Sequence, residues 1–267
     1  MMRLRKSIAN RVRRRRSVRG AFRSLRARGN DQLRNRILSA PEGPQVVAFF
    51  DMDQTLVAGN SSLLYVQRAL AEERAGMADL FKTIYYYLLY RLNRLPIDDI
   101  LKPTLGSVIG QREDEFAEFC NQIALKELVP RVAEQARAVL GWHRERGHRC
   151  VLLTAATGYL GDPVAEALAM DAALCTRLEV KEGRFTGRLG CLGLCYGAGK
   201  VRAAEAWALA SDADLKDCFF YTDSASDLPM LHAVGVPVVV NPDWILRRWS
   251  RRKGWLACRW PRGGRLA

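Results

Sequence analysis

Acidic residues are almost missing from both ends of this chain. Residues 1–40 hold 14 Lys/Arg and one acid, Asp31, for a net +13, and residues 247–267 hold eight Lys/Arg and no acid. The whole chain carries +14, which leaves −7 for 41–246. The sequence therefore reads as a mildly acidic body with two basic ends, and the ends bear on partners rather than on fold. Seven cysteines are present, but no CxxC pair occurs. That argues against a zinc site and fits reduced thiols in a cytoplasm. No apolar run approaches the ~20 residues of a spanning helix. The N-terminus also lacks the apolar core of a secretory leader. Only three histidines occur, His143, His148 and His232, without ligand spacing; they read as surface or packing residues. No Ser-His or Cys-His pairing stands out, which leaves acyl chemistry without support.

What is present is a large apolar fraction. Of 267 residues 49% are hydrophobic, enough for one large domain or a core with an insert, and too many for global disorder. In 1–40, apolar residues at Leu4, Ile8, Val12, Val18, Phe22, Leu25, Leu33 and Ile37 recur at helical spacing among arginines. Four readings of this arm stay open: a solvated tail, a helix on an anionic membrane surface, a nucleic-acid contact, and a transit peptide. The membrane reading makes the protein cytoplasmic and peripheral at the inner face of the membrane, and nucleic acid is the less favoured partner. Pro41-Glu42-Gly43-Pro44 is a breaker cluster and marks a boundary at 44.

The body opens with Val46–Phe50, five apolar residues that predict a strand buried on both faces. Residues 61–147 then read as helical throughout, with candidate helices at 62–75, 77–93, 112–127 and 130–146 and breaks near Pro96, Pro103 and Pro130. Within them Ile84–Tyr90 is apolar and aromatic, flanked by Lys82, Arg91 and Arg94. It predicts a packed helix of the insert or a surface that meets lipid. Strands resume at Cys150–Thr154 and at Asp217–Tyr221, and Val236–Val240 is a fourth. Leu178–Val180 and Arg184–Leu189 predict a hairpin. Helices are expected at 162–170, 200–210 and 227–233. Apolar strands alternating with helices predict an α/β chain with a parallel, Rossmann-like sheet core and an all-helical insert after the first strand.

Four segments in a fixed order carry the chemistry: Asp51-x-Asp53-x-Thr55, Thr154, Lys200, and Asp223-Ser-Ala-Ser-Asp227. Singly each has an ordinary reading as turn, strand or helix-start residues. Gly199-Lys200 is not a P-loop, since Leu194 and Val201 occupy its glycine and hydroxyl positions. Together, over about residues 45–245, the segments resemble the haloacid-dehalogenase-type hydrolases, in particular their phosphoserine-phosphatase-like branch with a helical cap. The resemblance implies a core of 45–60 and 148–246, a cap of 61–147, a basic arm of 1–44 and a basic tail of 247–267.

The resemblance also implies roles. Asp51 would be the nucleophile that takes up the phosphoryl group, and Asp53 the acid for the leaving alcohol and the base for water. Mg²⁺ would be held by Asp51, the Asp53 carbonyl and Asp223. Thr154 and Lys200 would bind the phosphate, and Asp227 would orient Lys200 or metal-bound water. The expected activity is Mg²⁺-dependent hydrolysis of a small-molecule or lipid head-group phosphate ester. Two alternatives are phosphoryl transfer to an alcohol and a catalytically silent membrane- or nucleic-acid-binding module. True phosphoserine phosphatases carry a glutamate nine residues after the nucleophile, where this chain has Asn60; that makes phosphoserine a doubtful substrate. The sequence sets no oligomeric state.

Overall fold

The computed structural model describes residues 29–91, 105–191 and 193–261. The expectations placed on residues 1–28, Arg94, Pro96, Pro103 and 262–267 lie outside the described residues. In chain order the strands are β1 (Val47–Phe50), β2 (Arg149–Thr157), β3 (Ala172–Thr176), β4 (Leu178–Lys181), β5 (Arg184–Leu189), β6 (Phe219–Thr222), β7 (Val236–Val240) and β8 (Leu256–Cys258). Six of them form one sheet in the order β3-β2-β1-β6-β7-β8, and every pairing in it is parallel. The helices are α1 (29–38), α2 (Ser61–Ala71), α3 (Met77–Arg91), α4 (Glu113–Ile123), α5 (Glu134–Glu145), α6 (Gly158–Ala167), α7 (Ala198–Ala210), α8 (Leu228–Ala233) and α9 (Trp244–Lys253).

The central strands are apolar without interruption because both sheet faces are covered. In β1, Val47 and Phe49 pack with Trp207 of α7, Met230 and Leu231 of α8, and Leu246 of α9. Ala48 and Phe50 face the other way, with Leu33 and Ile37 of α1, Val139 and Leu140 of α5, and Leu160 and Val164 of α6. β4 and β5 pair antiparallel as a separate hairpin. Phe185 of that hairpin meets Phe116 of α4 edge-on, with ring centroids 5.1 Å apart.

Three boundaries differ from the sequence reading. The described part of the basic arm belongs to the core: Leu33 and Ile37 are fully buried, and the Arg34 guanidinium lies over the Trp142 ring. The basic tail does so too, since α9 covers one sheet face and β8 is the sixth strand. Arg247, Arg248, Arg251, Arg252 and Arg259 are exposed while Leu246, Cys258 and Trp260 are buried. The helical insert ends before 147. Val57 and Val132 pair antiparallel, and Ala58 N–H donates to the Arg131 carbonyl. The two linkers of the cap thus run side by side near 57 and 132, and α5 returns to the sheet.

His143 and His148 are packing residues, but buried ones. His143 Nε2 lies 2.7 Å from the Tyr221 hydroxyl, its Nδ1 lies 2.9 Å from His148 Nδ1, and His148 Nε2 lies 2.7 Å from the Pro41 carbonyl. A carbonyl only accepts, so His148 Nε2–H donates to Pro41. With one proton per neutral ring, His143 Nδ1–H then donates to His148 and Tyr221 O–H to His143. Burial holds His143 well below its ordinary pKa, as does His148 beside it, which keeps the chain neutral. It ties the segment after α1 to the strand that leads into Asp223.

If α1 is part of the core, Leu33→Ala costs about 2–5 kcal/mol of stability, as for other fully buried leucines. Urea denaturation of the full chain measures this. A loss under about 0.5 kcal/mol, the range of a surface change, would show that α1 is not docked.

Candidate active site

Parallel strands end on one side, and side chains that leave those ends share one space. Phe50 of β1 lies opposite Leu152 of β2 and Tyr221 of β6. Asp51, Thr154 and Asp223 therefore leave three adjacent strands at nearly one level. Asp51 N–H continues the ladder, donating to the Tyr221 carbonyl at 2.9 Å.

Lys200 comes from the opposite direction, on the first turn of α7. Its approach depends on glycine: a Cβ at Gly199 would sit 2.0 Å from the Leu194 carbonyl oxygen, and Gly197 before the helix has φ of 51°. The Lys200 Nζ is buried between two carboxylates, 2.7 Å from Asp51 Oδ1 and 2.8 Å from Asp227 Oδ2. Asp227 Oδ2 also accepts from the Thr222 hydroxyl at 2.7 Å. Burial alone would lower the Lys200 pKa, but Asp227 and Asp51 outweigh it and raise it, so the ammonium stays charged. Burial pushes Asp51 up to about 7, with the Lys200 charge pulling the other way.

Asp53 is held apart from this pair. The chain turns sharply after it, with Gln54 at φ of 59°, and α2 then starts with its N-terminus against the Asp53 carboxylate. Ser61 N–H donates to Oδ1 at 2.9 Å and the Ser61 hydroxyl to Oδ2 at 2.9 Å. Asn60 Nδ2 donates to Oδ2 at 3.2 Å, and Asn60 Oδ1 caps α2 by accepting from Leu63 N–H. Burial raises Asp53 to about 6 against the two Ser61 hydrogen bonds. A carboxyl that changes protonation near neutrality suits acid–base work.

Thr154 is buried on β2, and its hydroxyl accepts from Ala156 N–H at 3.2 Å. The loop after β6 is fixed by Asp243, which the sequence reading did not single out. Asp243 Oδ2 accepts from Ala225 N–H at 2.8 Å, and Asp243 N–H donates to the Asp223 carbonyl at 2.9 Å. Ser61 and Thr222 were not singled out either. Their roles appear only once α2 has docked and β6 has paired, so no local pattern marks them.

The set of charges tests whether a cation fits. Asp51, Asp223 and Asp227 are all buried, and Lys200 supplies one positive charge among them. Buried carboxylates in that excess repel one another unless more positive charge is present. Among the described residues no cluster of three His, Cys, Asp or Glu side chains forms a metal centre. Two carboxylates and a backbone carbonyl are nonetheless a hard-oxygen set of the kind that suits Mg²⁺, which keeps several of its waters.

Residues 48–232 match the haloacid dehalogenase-like hydrolase family. The chain is 31% identical over 213 residues to the phosphoserine phosphatase SerB1 of Mycobacterium tuberculosis, covering 78% of this chain and 68% of that protein. It is 28% identical over 218 residues to a histidinol-phosphatase of Neisseria meningitidis, covering 78% and 96% respectively. A crystal structure of a Bordetella pertussis protein of unknown function superposes with a TM-score of 0.72 at 26% identity, over 80% of this chain and 98% of that one. A match over more than half its length, with a similar protein superposing on the same fold, shows that the chain belongs to the haloacid dehalogenase-like hydrolases.

Proposed function

We propose that the protein is a Mg²⁺-dependent phosphatase that hydrolyses a phosphate monoester through an aspartyl-phosphate on Asp51. The observation that carries this reading is the division of the two aspartates. Asp51 is fixed through one oxygen by a buried lysine, and Asp53 is fixed by α2. In this reading one attacks and the other moves protons.

In this reading Asp51 attacks phosphorus in line with the ester oxygen, forming the acyl phosphate as the P–O ester bond breaks. Asp53, protonated, gives its proton to the departing alkoxide. As a carboxylate it then takes a proton from water, which attacks the same phosphorus; phosphate leaves and Asp51 is restored. Lys200 and the Thr154 hydroxyl hold the phosphoryl oxygens, and Asp227 keeps Lys200 aimed. Mg²⁺, held by Asp51, Asp223 and the Asp53 carbonyl, would supply the missing positive charge against the phosphate.

Asn60 bears on the substrate. Both ends of its amide are committed inside the protein, to Asp53 and to Leu63, and it offers no charge to a substrate ammonium group. The favoured substrates are small-molecule or lipid head-group phosphate esters, with phosphoserine itself the less favoured among them.

Asp51→Asn keeps the shape and removes the attacking oxygen. Turnover of an aryl phosphate should fall by at least about a thousandfold in a protein whose circular dichroism is unchanged. Near-normal turnover in that folded variant would refute the assignment. Ser61→Ala removes one of the donors that hold Asp53, so kcat should fall about ten- to a hundredfold with little change in KM. Ser61→Thr, which keeps both donors, should restore most of it. Equal activity of all three proteins would show that Ser61 does not position Asp53.

A further inference from the structure

Thr154 stands in the last part of β2 and Lys200 on the first turn of α7, two segments that come from different parts of the chain. A single buried hydroxyl touches both. Thr176, the last residue of β3, is 4% exposed. Its Oγ1 donates to the Ala155 carbonyl at 2.8 Å and accepts from the Cys195 N–H at 3.2 Å. A hydroxyl has one proton to give and lone pairs to receive, so both bonds form at once.

The pairing of β2 with β3 shows why the first bond is needed. The two strands run in parallel register through Leu153 and Leu174, and pair again at Thr157 and Thr176. Between those pairs β2 has Thr154, Ala155 and Ala156, whereas β3 has Cys175 alone. The surplus residues bulge, and bulges beside active sites re-aim side chains. Here the bulge contains Thr154 itself. Inside it Ala156 N–H turns to the Thr154 hydroxyl, and the Ala155 carbonyl, out of the regular ladder, is taken up by Thr176.

The second bond holds the segment that leads into α7. Cys195 follows Leu194, whose carbonyl oxygen is the atom that excludes a side chain at Gly199. Gly199 N–H donates to the Tyr196 carbonyl at 2.7 Å, and Lys200 N–H to the Gly197 carbonyl at 3.1 Å. This run of tight turns joins Cys195 to Lys200 with little slack. The Cys195 thiol adds another tie to β3, donating to the Leu174 carbonyl at 3.4 Å.

We propose that Thr176 is a positioning residue for the phosphate site, its hydroxyl setting the spacing between Thr154 and the Lys200 ammonium. This role rests on the phosphatase reading, which gives Thr154 and Lys200 to the phosphate, and adds to it. The Asp223 loop is held separately, by Asp243, so Thr176 acts on phosphate binding and not on Mg²⁺.

Thr176→Val keeps the volume and removes the hydroxyl, and Thr176→Ser keeps the hydroxyl. Each full chain is assayed with para-nitrophenyl phosphate and Mg²⁺, with inorganic phosphate as inhibitor. In Thr176→Val, KM and the phosphate inhibition constant should each rise about ten- to a hundredfold, while the Mg²⁺ concentration for half activity stays within about twofold. Thr176→Ser should recover most of the loss. Amide exchange over residues 193–199 should speed up in Thr176→Val and not in Thr176→Ser. If Thr176→Val does not fold, Thr176→Ala carries the same test. Wild-type constants in the variant without the hydroxyl would overturn the proposal. So would an equal rise in the Mg²⁺ requirement, which would make Thr176 a general support of the fold. Failure of the phosphatase reading looks different: the wild-type chain itself turns over no phosphate ester. Amide exchange over 193–199 then decides the role of Thr176, and exchange unchanged by Thr176→Val overturns it.

Discussion

The buried ammonium of Lys200, held between Asp51 and Asp227, is the contact on which the candidate active site depends. An unpaired charge in such a place is strongly unfavourable, so the lysine and its carboxylates require one another. The contact joins three parts of the chain that are far apart in sequence. Asp51 ends β1, Lys200 opens α7, and Asp227 lies in the loop after β6. Glycine at 199 lets α7 come close enough, and Thr222 and Asp243 hold the far loop in register. A buried ion network of this kind adds little to stability compared with an apolar core of equal volume. Its worth is positional: it fixes one oxygen of Asp51 against the start of α7.

The cap acts on the other aspartate. Asp53 belongs to the core by sequence, yet its carboxylate is gripped by the first residues of the cap, Asn60 and Ser61. A shift of α2 would therefore move the Asp53 carboxylate while leaving Asp51, held by Lys200, in place. Asn60 is bonded at both ends of its amide within the protein, to Asp53 and to Leu63.

The sheet, and the side chains that meet at its strand ends, were legible in the sequence for physical reasons. Val46–Phe50, Cys150–Thr154 and Val236–Val240 are apolar throughout, as strands covered on both faces are. The aspartates, Thr154 and Lys200 sit where such strands end or a helix begins. Other parts were hidden. Leu33 and Ile37 continue a basic amphipathic pattern that looks the same whether its apolar side meets a membrane or a core. β8 is three residues long, with only Cys258 of it buried, and stands in an arginine-rich stretch, so no apolar run marks it. His143 and His148 are five residues apart in sequence, but their bond needs the turn between α5 and β2. Ser61 and Asp243 act through backbone groups that only the folded chain brings near.

The most direct measurement is to trap the acyl phosphate. The enzyme is mixed with a phosphate ester and Mg²⁺, quenched in acid and reduced with borohydride, which converts an aspartyl-phosphate to homoserine. Peptide mass spectrometry then locates the change. The account predicts homoserine at Asp51 and at no other aspartate, dependent on substrate. Reduction at another residue, or ester turnover with no reducible intermediate under any quench time, would contradict it.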